Sequence, residues 1–333
     1  MPVRTMPPAA AATAGAICIS SSAVLMKLAD TTPSITALGR CAFALPLLGA
    51  LAWAERRRGA PRLPSRSRRL AWLAGGFLAG DLIVWSHAIR AIGAGLGTVV
   101  GNLQVLIVSL LAWLLLGERP RRSLVLAFPV MLAGLVLVGG LVDVGGSRAY
   151  GTDPGLGLVY GVAVAVIYAT YILTLRQATS AQGPRPAVAA VLFEATAGAA
   201  VASAVLGLVL NDYRLGPDPS LWPMLGWLAL LALTSQVIGW LLITVSMPRL
   251  PAGMIGALLL VQPAGSVALS YAFLGERPSA LQLAGVVLVL AGVVVAVSGA
   301  GAGKSEAASS RRSTRIIRQA AGASTGVSAS KSP

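Results

Sequence analysis

Ten stretches of roughly 20 predominantly apolar residues occupy most of this 333-residue chain, at about 9–29, 34–54, 70–91, 93–115, 123–142, 154–175, 187–209, 222–246, 251–273 and 281–299. A segment of that length spans the roughly 30 Å of a bilayer's hydrocarbon as a helix. Hydrocarbon offers no water to an unpaired backbone N–H or C=O, so only helices or a closed barrel can cross it. Barrel strands are about ten residues long and alternate in polarity, which these runs do not. The chain is 56% hydrophobic and 11% charged, with a mean hydropathy of +0.79, far from a soluble composition. The expectation is an all-α polytopic membrane protein. Pro33, Pro154 and Pro251 stand at or just before helix starts, where a missing N–H costs least.

The pentapeptide Leu-Gly-Glu-Arg-Pro occurs twice, at Leu116–Pro120 and at Leu274–Pro278, each time joining one apolar stretch to the next. Aligned without gaps at this offset of 158, Ala94–Val136 and Ala252–Val294 share 13 of 43 residues, Gln104 with Gln262 among them. A duplicated unit of five spans follows. Gly117 and Gly275 suit a left-handed helix end, and Pro120 and Pro278 a first helical turn. Between them Glu and Arg are placed to pair with each other or with headgroups. The turn reads as a tight connection at the membrane surface, outside any substrate site.

Charge gives an orientation. With a cytoplasmic N-terminus, 20 of the 26 Lys and Arg residues fall on the cytoplasmic side, including Arg56, Arg57, Arg58, Arg62, Arg66, Arg68 and Arg69 between the second and third stretches. The positive-inside rule selects that arrangement, in the inner or plasma membrane, with both termini cytoplasmic. Lys27, Arg90, Arg148, Arg214 and Arg277 then lie outside, with Arg40 inside the second span. Five spans per repeat is an odd number, so the second copy enters in the opposite sense, giving ten transmembrane helices in two inverted five-helix repeats. Such repeats support alternating access around a site near the midplane. The expected division is a cytoplasmic N-terminus at 1–8, repeats at 9–142 and 154–299, an outer linker at 143–153 and a disordered basic tail at 300–333. The net charge of +15 reflects topology and anionic lipid headgroups, and nucleic acid is not an expected partner. The first stretch lacks a cleavage site and nine more follow, so it reads as a span and not a signal peptide. Cys18 and Cys41 sit inside spans as packing residues.

Ten spans, two repeats and a Gly-Glu-Arg-Pro turn after the fourth and ninth helices resemble the EamA branch of the drug/metabolite transporter superfamily, over about Ala9 to Ser298. The resemblance implies a bacterial inner-membrane exporter of amino acids, related metabolites or drug-like compounds. It would work as a monomer or weak dimer, with a cavity lined chiefly by helices three, four, eight and nine with parts of one and six. Helices five and ten would be peripheral. Small multidrug relatives carry a Glu in their first helix as the proton and cation site; here neither helix one nor helix six contains an acid, so coupling by that route has no support.

Ionisable residues within spans are costly and mark function. Asp81 lies near the middle of helix three with Trp85 one turn on, a carboxylate and an aromatic face suited to an amine or cationic head. Arg40 in helix two is near enough in depth to neutralise it. A coupling proton, if used, would ride on Asp81 or on Glu194 in helix seven. His87, the single histidine, is turned away from the Asp81 face and reads as interfacial. Uncharged polar stripes outline the remaining walls: Thr98, Asn102 and Ser109, with Gln104 beside them, on helix four; Gln262, Ser266 and Ser270 on helix nine; Gln236, Trp240 and Thr244 on helix eight; Tyr168 and Tyr171 on helix six. The same residues also suit helix–helix hydrogen bonding. Pro263 permits bending.

A small-molecule substrate and membrane lipid are the expected partners; no cofactor or metal is expected. A membrane-embedded enzyme, the alternative of another class, would need a nucleophile, a base or a metal set, and a lone His87 without a metal cluster disfavours it; no phosphate-binding Walker sequence is present for a pump. A nucleotide-sugar carrier of the same superfamily is the alternative within transporters, and it would require Lys27 or Arg40 to face phosphates.

Overall fold

The computed structural model describes residues 6–101, 103, 104, 107, 122–138, 153–180, 187–213, 221–246, 259, 261–292, 294 and 295. Everything regular among them is helical. Among the described residues, six helices are long and apolar enough to cross a membrane: α1 (Pro8–Ala29), α2 (Pro33–Arg57), α3 (Ser65–Ile92), α6 (Gly155–Thr179), α7 (Val188–Val209) and α8 (Leu221–Ser246). Shorter helical pieces stand where four further spans are expected: α4 (Ala94–Gly101), α5 (Arg122–Val138), α9 (Val261–Leu274) and α10 (Ala280–Gly292). The first Leu-Gly-Glu-Arg-Pro turn, most of the 143–153 linker and the basic tail lie outside the described residues.

Local chemistry sets the helix limits. Thr32 caps α2 by accepting from the Ile35 N–H, Pro33 follows at the first helical position, and Asp30 ends α1 in the left-handed region at φ 42°. Asp212, beyond α7, accepts from the Ser34 N–H at 3.0 Å and so adds a carboxylate to the α2 N-terminus, where the helix dipole favours negative charge. Within α1, Ser20 and Ser21 donate to the carbonyls of Ile17 and Cys18. The regular helix is interrupted at Ser21, as such back-bonding to the preceding turn favours. Gly275 ends α9 at φ 65°, as its place in the repeated turn predicts.

The two halves pack into each other. α3 runs along α6 and α7, α2 lies on α7, α1 on α8 and α9, and α4 on α9. Backbone meets backbone at Gly75 of α3, where any Cβ would collide with the Ala195 carbonyl and the Gly198 backbone of α7. Lipid tails are as apolar as leucine, so helices here associate through close van der Waals packing at small residues. α5 meets α10 at Gly134, beside Gly285 and Val289, away from the main core around Leu48, Leu78, Tyr171, Leu192 and Trp240. Outward-facing Leu126, Phe128, Leu208, Val209 and Phe273 are exposed, the faces a lipid solvent would cover.

Candidate functional site

Among the described residues, seven helical regions line a cavity of about 60 Å³. Its charged wall is Asp81 from α3 and Arg40 from α2, 5% and 4% exposed. Trp85, Tyr168 and Trp240 form the aromatic wall, and Thr98, Gln104 and Gln262 the uncharged polar one, with Ile19 closing the α1 side. Gln104 and Gln262, matched by the internal repeat, thus line one cavity from the two halves. No residue of α5 or α10 lines it among the described residues. Arg40 adds α2 to the set of lining helices that the resemblance implied.

Arg40 and Asp81 share the cavity without a direct ion pair. The guanidinium instead donates from Nε to Gln236 Oε1 at 3.0 Å and from Nη2 to Ser235 Oγ at 2.9 Å, while Gln236 Nε2 donates to Thr196 Oγ1 at 3.1 Å. These partners come from a π-helical run, Ala232–Gly239, in the middle of α8. A wider helical turn is rare and concentrates at functional sites; here it brings Ser235 and Gln236 to the arginine. Asp81 Oδ1 and Gln104 Oε1 are buried with no hydrogen-bond partner among the described residues. Buried acceptors without partners are uncommon in folded proteins. The cavity therefore presents two free acceptors beside an arginine already oriented by neutral groups.

Several expected lining residues stand behind the wall. Tyr171 is fully buried, with its ring 5.1 Å from Trp240 and 5.9 Å from Tyr168. Ser266 donates to Thr98 Oγ1 at 3.1 Å and ties α9 to α4 across the repeats. Gln236 supports Arg40, and Thr244 bonds back to the Trp240 carbonyl. Asn102 and Ser109 lie outside the described residues. His87 faces Tyr160 at 5.4 Å between ring centres. Glu194 is remote from the cavity, accepting from Trp72 Nε1 at 2.8 Å and pairing with Arg68 at 3.1 Å. Outside the spans, partial burial and then the Asp212 charge hold the Tyr213 phenol above its ordinary value, and its hydroxyl donates to the Ser203 and Ala204 carbonyls.

The second copy of the turn, at Leu274–Pro278, also ties helices together. Glu276 is 4% exposed; its carboxylate meets Lys27 Nζ of α1 at 2.7 Å and accepts the Ala94 N–H at the start of α4 at 3.0 Å. The left-handed Gly275 turns it inward onto two other helix ends. The available signal was Lys27, an isolated lysine inside an apolar stretch. Among the described residues no group of His, Cys, Asp or Glu is arranged to hold a metal.

The sequence pattern of the EamA-like transporter family matches residues 6–140 and again 155–298. The chain belongs to the EamA-like transporter family. It is a multi-pass membrane transporter of the drug/metabolite type, built from two copies of the family's unit. A solved crystal structure superposes with a TM-score of 0.56 at 23% sequence identity, covering 87% of this chain and 96% of that chain, a likeness of fold. No curated protein matches the chain.

Proposed function

We propose that this EamA-like protein is a secondary transporter with ten spans in two inverted five-helix repeats, exporting a small amine-bearing metabolite or amphipathic drug-like solute by alternating access. The observation that carries this reading is the pair of unpartnered buried acceptors, Asp81 Oδ1 and Gln104 Oε1, in a cavity walled by Trp85, Tyr168 and Trp240. Acceptors beside aromatic faces suit an ammonium group carrying an apolar body. At about 60 Å³ the cavity has room for a few waters, since one needs about 15 Å³. A metabolite therefore requires the helices to part. Inverted halves that exchange roles supply that motion. The nucleotide-sugar alternative loses support because Lys27 is held by Glu276 and lies outside the cavity wall, leaving Arg40 as the one cavity cation among the described residues.

The test compares solutes released by cells overproducing the protein with those released by cells overproducing Asp81→Asn at equal membrane abundance. A solute in excess only with the parent protein is the expected result, and its transport by purified Asp81→Asn in vesicles should fall at least about tenfold, the cost of one good charged contact. Equal release by both proteins would remove Asp81 from the mechanism. For orientation, a cysteine replacing Ser65 should resist an impermeant thiol reagent outside the cell, and one replacing Asp153 should react. The reverse pattern would invert the topology.

A further inference from the structure

A second cavity, about 430 Å³, opens at the arginine-rich end of the bundle. The last turns of α2 (Gly49, Ala52, Trp53, Arg56), the following loop (Pro61, Arg62, Leu63), Arg68 of α3 and the α7 residues Ala190, Phe193 and Glu194 enclose it. Its two halves differ in chemistry. Gly49, Ala52, Leu63 and Phe193 make an apolar floor continuous with the spans, and three arginines form the rim. Glu194 already accepts from Arg68 and Trp72, whereas among the described residues Arg56 and Arg62 form no ion pair. The groove thus offers two arginines outside any ion pair among the described residues.

Aromatic residues fix its depth. Trp53 is 58% exposed with the Arg57 guanidinium 4.2 Å from its ring, and Trp72 is 43% exposed beside Glu194. Exposed tryptophans at the ends of membrane helices sit at the headgroup level. Basic pockets between helices at that level suit anionic lipid headgroups. A free phosphate would use the rim and leave the apolar floor idle.

We propose that this groove binds the headgroup of an anionic phospholipid, with Arg56 and Arg62 on the phosphodiester and Trp53, Leu63 and Phe193 against the glycerol and first acyl carbons. The site is separate from the central cavity and rests on the membrane placement alone.

The test uses the full-length protein in neutral detergent, with thermal unfolding followed as phosphatidylglycerol, phosphatidylcholine or inorganic phosphate is added. Phosphatidylglycerol should raise Tm saturably, and the other two should not. Arg56→Ser with Arg62→Ser should weaken the apparent affinity roughly 30-fold, about fivefold for each arginine. Arg66→Ser with Arg69→Ser removes the same charge from the same segment without touching the groove and should change affinity less than threefold. Equal stabilisation by phosphatidylcholine, or by phosphate at the same concentration, would overturn the proposal. So would equal losses in the two double variants, which would mean diffuse surface attraction. If the Arg56/Arg62 variant lacks a cooperative transition, native mass spectrometry of co-purified lipid on Arg62→Ser alone decides: retention of phosphatidylglycerol at parental levels refutes the site.

Discussion

Glu276 and Glu194 are both ion-paired glutamates near the ends of spans, and their surroundings give them opposite weights. Glu276 is 5% exposed at its side chain and grips Lys27, itself 32% exposed, together with the first N–H of α4. Glu194 is 18% exposed and its partner Arg68 is 59% exposed. Water can solvate the second pair when it opens; it reaches little of the first. One end of the bundle is therefore pinned by charge buried between α1, α4 and the α9–α10 turn, and the other is dressed with arginines that remain available to headgroups. A carboxylate's worth follows from what replaces its partner when the partner is gone.

The strongest challenge to that comparison is Lys27→Met. It removes the cation that the buried Glu276 carboxylate meets at 2.7 Å, and breaking a buried pair in this way costs about 3 kcal/mol. Thermal or denaturant unfolding in detergent should show the largest loss among single changes at these helix ends. Adding Glu276→Gln should recover most of the loss, since the amide still accepts the Ala94 N–H and the buried negative charge is gone. A Lys27→Met protein as stable as the parent would mean that Glu276 is solvated and the contrast false.

A middle case sharpens it. Glu55, at the arginine-rich end, accepts the Ala189 N–H at 2.9 Å and so caps α7. Removal of a helix cap typically costs about 1 kcal/mol. Glu55→Ala should lie between the two glutamate pairs in the same unfolding measurement, its loss coming from an orphaned N–H. A loss as large as that of Lys27→Met would show the arginine-rich end to be equally buried.

What the sequence made legible follows the same division between local and long-range physics. The spans could be read because lipid imposes length and apolarity residue by residue, and Gln104 and Gln262 because duplication left them aligned. Arg40 and Asp81 stood out by the cost of charge in hydrocarbon. Their partners could not be found that way. Ser235 and Gln236 reach Arg40 through a π-helical run that no local composition announces, and Glu276 finds Lys27 across 249 positions of sequence. Helical spacing alone grouped Ser266 with Gln262 as lining, whereas the structure assigns Ser266 to the α9–α4 contact. Periodicity gives the face of a helix; which neighbour fills that face is decided by packing.

The smallest effect belongs to Glu194→Gln. The substitution removes the charge opposite Arg68 and keeps an acceptor for the Trp72 N–H, so stability should fall by about 0.5 kcal/mol, the ordinary value of an exposed pair. That loss should shrink in high salt, because exposed charges are screened. Transport is the more informative readout. Glu194 does not line the central cavity, and under the proposed mechanism a proton carried during the cycle would ride on Asp81. Transport by Glu194→Gln in vesicles should therefore keep the parent's rate and pH profile across roughly pH 5.5 to 8, the range a perturbed carboxylate can span, while Asp81→Asn loses activity throughout. A flattened pH profile in Glu194→Gln with Asp81→Asn still active would reverse those roles, making the exposed glutamate the proton site and the buried cavity acid a packing element.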